Sequence, residues 1–365
     1  MKRLFAASLC AACVFSQIPV MAAETEPAAG SETEAYAEPA EEVIPEDAIE
    51  IGSAEELAAV NENLSGYYLL TADIDLAGTQ WTPIGTFAPA GEAEEEQELP
   101  DEEKALTGIF NGNGHTISGL EILGEDGMAV GLFGCAANAT IMNLCVDNAK
   151  TEGTVMVSDV VGYAYCTTVN DVTLTNSTVT AYASDLSAEG MYGGIVGAGM
   201  GSMLINCSAQ ADITIPDDSA NAGIVGGGLE STSLLNCSAT GTVTAGNNCY
   251  GLGGVSGCGF GAEEFTACEA NDVTITAGDG CFWIGGVTGY AGGYEDESFG
   301  VSVTAFTDCA ARFVQVEAGA DAEQVGDIVG AGFFNEEVAE AYGAPYDAPT
   351  QYTLSSCVVE KYVEQ

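Results

Sequence analysis

The stretch GIVGAGMGSMLINCSAQADITIPDDSANAGIVGGGLESTSLLNCSATGTVT, residues 194–244, states one pattern twice. GIVG stands at 194–197 and again at 223–226, INC at 205–207 is answered by LNC at 235–237, and ITI at 213–215 by TVT at 242–244. Working outward, the opening phrase returns as GLFG (131–134), a degenerate DVVG (159–162), GVSG (254–257), GVTG (286–289) and DIVG (327–330). The second phrase returns as MNL (142–144), NDV (170–172), TAC (266–268), TDC (307–309) and SSC (355–357), closing each time on an apolar residue or Cys. The third, rich in β-branched residues, returns in TVMV (154–157) and VTIT (273–276). Recurrence on this scale means that one supersecondary unit is stacked on itself.

Short apolar runs broken by Gly, Asn and Asp, with no helical period between them, call for β-strands joined by tight corners. The phrase GxxG reads as the end of a short strand. Three strands per coil, each pairing in parallel with its counterpart at about 4.8 Å, make an all-β solenoid. The expected fold is a single-stranded right-handed parallel β-helix, its hand following the usual chirality of parallel crossovers. Upstream, YYLLTADIDLA (67–77), WTPIG (81–85) and GIFNGNGHTISGLEIL (108–123) read as two or three less regular coils. Ser53 and Glu56 form a capping-box pattern ahead of Leu57, Val60 and Leu64, which predicts a short helix covering the open N-terminal end.

The ends of the chain set the expected compartment. Lys2 and Arg3, the apolar LFAASLCAACVF (4–15) and the small residues of VMAA (20–23) read as a signal peptide over residues 1–23. Residues 24–48, rich in Glu, Ala, Pro and Thr, read as a disordered acidic linker. Residues 49–130 then carry the N-terminal cap and first coils, and 131–365 the regular repeats. The expectation is a secreted, extracellular or cell-surface protein with no membrane insertion after signal cleavage, acting as a monomer.

The coils resemble the GLUG repeats of secreted and surface proteins of bacteria, and the phrases "YYLLTADIDL", "WTPIG" and "FNGNGHTISGL" resemble the segment that commonly precedes them. The resemblance covers about residues 49–365. It implies a pectate-lyase-like β-helix, and a repeat region of the kind that flanks the catalytic domains of some bacterial immunoglobulin A proteases. Such repeats are regarded as non-catalytic, so the resemblance brings no catalytic residues with it.

Charge narrows the partners. Of six Lys and Arg residues, two lie in the signal peptide, leaving four (Lys104, Lys150, Arg312, Lys361) against 55 acids, or 4 − 55 = −51 for the mature chain. Such a surface repels nucleic acid, anionic lipid and acidic polysaccharide, and it offers the oxygen ligands for weak Ca²⁺ binding. No other cofactor is expected.

Of the thirteen cysteines, Cys207, Cys237, Cys268, Cys309 and Cys357 share one repeat position, which predicts an inward ladder of reduced thiols. Stacked Cβ vectors run parallel rather than converging, which disfavours bridges along the ladder. Cys249 and Cys281 make a shorter ladder where a disulfide is an open alternative. The chain's one His, His115, follows Asn113 and Gly114 and reads as a turn residue. It leaves HExxH metalloproteases and Ser-His-Asp or Cys-His hydrolases without their partners.

Function is sought where the period breaks. Long insertions follow the opening phrase in the last two coils, and they must leave the solenoid side by side. One carries Tyr290, Tyr294, Glu295, Asp296 and Phe299; the other carries Phe333, Phe334, Tyr342 and Tyr346. Aromatics among carboxylates suit a neutral glycan or protein on a host or bacterial surface, since rings stack on sugar faces while acids accept hydroxyl hydrogen bonds. The reading is an adhesin-like or ligand-presenting scaffold without catalysis. The alternative is a polysaccharide-acting enzyme, a carboxylate-based hydrolase or a lyase, on the same fold. Its carboxylate candidates, Asp73 and Asp75, read more simply as turn and ladder residues.

Overall fold

The computed structural model describes residues 44–87, 99–123, 128–261, 264–292, 295–296, 300–301, 304–331 and 352–362. The stretch read as a signal peptide (1–23) and most of that read as a linker (24–48) lie outside the described residues. The described chain is almost wholly strand, gathered into a long sheet of twenty strands and two sheets of seven. Every pairing between coils is parallel; the one antiparallel pair among the described residues joins Glu295–Asp296 to Gly300–Val301. This is the expected parallel β-helix, with one sheet for each of three faces.

One coil shows how the sequence builds it. Val196–Met200 lies in one short sheet, Met203–Ile205 and Ser208–Ile215 in the long sheet, and Ala220–Gly223 in the other short sheet. Ser208–Ile215 pairs with Ser238–Ala245 over eight consecutive residues, so Ile213 stacks on Val243 and Val243 on Ile275. All three are fully buried. Alternation sends these side chains inward and their Thr and Asp neighbours outward. Burying each Ile or Val contributes about 1.5–3 kcal/mol.

The corner inside the long face explains the second phrase. Its middle residue has positive φ in every copy: Asn143, Asp171, Asn206, Asn236, Ala267, Asp308 and Ser356 all lie between 52° and 55°. Five of these seven are Asn or Asp, the residues that enter this region most readily. The corner then turns the next residue, Leu, Val or Cys, into the core. Asn236 also donates through Nδ2 to Oδ1 of Asn206 at 2.9 Å, which links two of these turn residues across adjacent coils.

The structure corrects the reading of the first phrase in two ways. GxxG is not a strand end; it spans the bend between the two short sheets, with Ala220–Gly223 before it and Gly226–Glu230 after it. The copy taken as 223–226 is also one residue early. Gly193 pairs with Gly223 and Val196 with Gly226, so the counterpart of 194–197 is 224–227. The position that stays Gly in all seven copies is therefore the last: Gly134, Gly162, Gly197, Gly227, Gly257, Gly289 and Gly330. A Cβ there would meet backbone of the preceding coil, 2.2 Å from Tyr192 N at Gly227 and 2.3 Å from Leu252 N at Gly289. Only Gly lets the bend close this tightly. A third correction concerns TVMV at 154–157. Met156–Val157 pairs with Met191 and Tyr192 in a short sheet, and the true counterpart of ITI is Thr151, Glu152 and Gly153.

The predicted helix, α1, runs Ala54–Ala58. Ser53 Oγ accepts from Glu56 N at 3.2 Å, the expected cap, while Glu56 Oε2 accepts from Gly52 N at 2.8 Å, one residue ahead of the N-cap amide that a capping box uses. Leu57 and the following Val60 are buried in the main core, next to Ile49–Ile51, the first rung, which pairs with Tyr67–Leu70.

Candidate functional site

Because the GxxG bend is sharp, the outer faces of the two short sheets fold toward each other and bury a second apolar seam outside the main core. Its N-terminal part holds Cys135, Met156, Tyr163 and Met191; its C-terminal part holds Trp283, Tyr290 and Ala331 with Tyr250 and Phe282 packed against them. Tyr163, Cys258 and Tyr290 occupy one outward column that the strand period alone would send to solvent.

Four aromatics form the C-terminal seam. Tyr250 stacks on Phe282 with centroids 5.2 Å apart, Trp283 meets Phe282 edge-on at 4.9 Å, and Trp283 tilts against Tyr290 at 4.9 Å. Trp283 holds a left-handed backbone, φ 58°. It shares its register with Gly251, also at positive φ, and with Gln324, so the coil's geometry imposes the conformation and Trp accepts it. Bulky residues rarely do so.

An open groove of about 570 Å³ lies beside this cluster, lined by Ala183, Ser184, Asp185, Ser187, Ala188, Pro216, Asp217 and Asp218. One wall is a loop held by Ser184 N donating to Ser187 Oγ at 2.8 Å and Leu186 N to Ser184 Oγ at 3.2 Å. The other wall is a corner ladder, in which Asp217 Oδ1 accepts from Asn247 N at 2.7 Å and Asp218 Oδ1 from Asn248 Nδ2 at 3.0 Å. Tyr250 ties seam and groove together by donating its hydroxyl to Ala188 O. The arrangement joins half-buried rings to carboxylates, a combination suited to hydroxyl-rich ligands.

The residues expected from the sequence distribute unevenly. Tyr290 lies in the seam, 4% exposed. Glu295 and Asp296 form half of a short hairpin. Tyr294, Phe299, Phe333, Phe334, Tyr342 and Tyr346 lie outside the described residues. The strands from which the two insertions depart are neighbours, Thr288 paired with Val329 and Thr304 with Tyr352. Tyr250, Phe282 and Trp283 were not singled out from the sequence, although YG at 250–251 and FWIG at 282–285 open the same strand in successive coils.

The other candidates are accounted for locally. Cys207, Cys237, Cys268 and Cys309 are buried, Cys357 half-buried, and all five thiols are free. Each donates to main chain, for example Cys309 Sγ to Phe265 O at 3.2 Å. Cys249 and Cys281 are also free, and burial pushes the Cys249 thiol up to about 12. His115 Nδ1 lies 3.2 Å from Asp73 Oδ1, which also accepts from Thr116 N at 3.0 Å. The Thr116 N–H, followed by His115, holds the Asp73 carboxyl below the usual range. Asp75 Oδ1 accepts from Ala77 N at 2.9 Å. The four cations sit on separate segments against carboxylates: Lys104 with Asp101, Lys150 with Glu152, Arg312 with Glu269 and Glu360, and Lys361 with Asp327. Among the described residues no group of three or more His, Cys, Asp or Glu side chains is placed to hold a metal ion, and no helix is long and apolar enough to cross a membrane.

No family model matches the chain. Over 154 residues it is 31% identical to Halomucin of Haloquadratum walsbyi, a match taking in 39% of this chain and 2% of that protein, so the chain spans a small fraction of the relative's length. A solved structure described as a "putative immunoglobulin A1 protease" from Bacteroides ovatus is similar with a TM-score of 0.49 and 16% identity, covering 86% of this chain and 84% of that one.

Proposed function

We propose that this is a non-catalytic β-helix of the GLUG-repeat type, secreted or held at a cell surface, that presents a binding site for a neutral glycan in the groove beside Tyr250 and Phe282. The observation that carries the reading is the aromatic cluster of Tyr250, Phe282, Trp283 and Tyr290, tied by hydrogen bond to a groove with Asp185, Asp217 and Asp218 on its walls. Keeping Trp at a position of positive φ argues that the ring is worth its backbone strain. The acidic surface favours neutral over anionic sugars, and the pairing of every described cation with a carboxylate supports a reading other than uronate cleavage.

The test is a glycan array probed with the intact protein and with a Tyr250→Ala, Phe282→Ala double variant. Binding to neutral glycans that the variant loses is the expected result, and identical profiles would end the assignment. Release of new reducing ends from any bound polysaccharide, abolished by one carboxylate substitution, would put the enzymatic alternative in its place.

A further inference from the structure

Two inward columns face each other across the core. On the long sheet one runs through Ile122, Thr151, Val179 and Ile213. At the bend between the short sheets the other runs through Gly131, Asp159, Gly194 and Ile224, with Asp159 N bonded to Gly194 O and Gly194 N to Ile224 O. Elsewhere these stretches of the columns hold Ile, Val or Gly, yet in a single coil both turn polar at once. Asp159 and Thr151 are fully buried, and both Asp159 carboxyl oxygens, Thr151 Oγ1 and the adjoining Ser158 Oγ lack a hydrogen-bond partner among the described residues. The Asp at the same repeat position in the last coil, Asp327, is exposed and answered by Lys361 at 2.8 Å.

An ionised carboxylate without partner or water costs several kcal/mol, and a group so placed sheds its charge instead. We infer that Asp159 is carried as a neutral acid facing Thr151, and that losing its proton loosens the coil around residues 150–165, making one rung of the solenoid a pH-sensitive switch. Burial holds the Asp159 carboxyl well above the ordinary carboxylate range, and the Thr151 hydroxyl opposes this by favouring the charged form. No charged or titratable side chain among the described residues bears on it: its own bend supplies Ser158, the long sheet Thr151, the preceding coil Gly131 and the next coil Gly194. The folded chain therefore holds this proton more tightly than the unfolded chain does. The stabilisation is complete below the unfolded carboxylate pKa near ~4 and is lost as pH rises through the folded value.

The test compares thermal unfolding of the full chain with Asp159→Asn and Thr151→Val variants from about pH 4 to about pH 9. Other acids also change stability over this range, so the readout is the difference between wild type and Asp159→Asn. Near-equal melting at the acid end is expected, with the variant increasingly the more stable as pH rises. Thr151→Val removes a group that favours ionisation and should move the pH at which the divergence levels off upward, leaving its onset unchanged. Amide exchange of residues 156–165, corrected for its intrinsic pH dependence, should lose protection at the alkaline end in wild type alone. A melting difference that stays constant with pH overturns the inference. Should Asp159→Asn fail to fold, Asp159→Ile, which copies the buried Ile224 at the same repeat position, supplies the same comparison.

Discussion

A single methyl group on Gly227 would lie 2.2 Å from the backbone nitrogen of Tyr192, an atom that cannot swing aside as a side-chain tip could. Gly227 does not need positive φ, so its requirement is purely one of space. Gly78 is the reverse case, with φ 77° and nothing within 4 Å of an added Cβ. Gly227→Ala should therefore lower stability by about 1–3 kcal/mol or more through overpacking, and Gly78→Ala by about 1–2 kcal/mol through conformation alone. Urea midpoints of the two variants check the order, and equal losses would mean that the bend relaxes around the methyl. Residue identity was readable where chemistry and backbone coincide, as with the Asn or Asp at five of the seven inward corners. It was misread at 223–226, where consecutive glycines (Gly226, Gly227, Gly228) leave the register unmarked until strand pairing supplies it.

At the scale of elements, α1 has only five residues, too few to hold itself together, so its cap and its buried face must do so. Ser53→Ala removes the hydroxyl that accepts from Glu56 N and should cost about 0.5–2 kcal/mol of local stability. Hydrogen exchange is the suitable measure: protection should fall in Ile49–Ile51 and α1 while the strands beyond residue 131 stay unchanged, because coils contact mainly their neighbours. A uniform loss along the chain would instead make the helix part of one cooperative unit. The capping pattern was visible in sequence because its atoms lie within four residues of each other. TVMV at 154–157 misled because a period of two marks a strand without saying which sheet it joins.

For the whole molecule, the formal charge of −49 opposes compaction along the entire solenoid. Added monovalent salt should raise the melting temperature, steeply up to about 0.15 M where the Debye length falls to about 8 Å, then more slowly. A melting temperature independent of salt would mean that the stacked core dominates repulsion outright. By itself the sequence determined the stacked repeat, the parallel pairing, the inward cysteines and the capped first end, because each follows from a period or a local hydrogen bond. The tertiary structure alone decided that GxxG is a bend, that the bend buries an aromatic seam on what strand alternation would make an outer face, and that Asp159 looks across the core at Thr151. These depend on the angle between sheets and on which columns face each other, and no linear spacing in the chain encodes either.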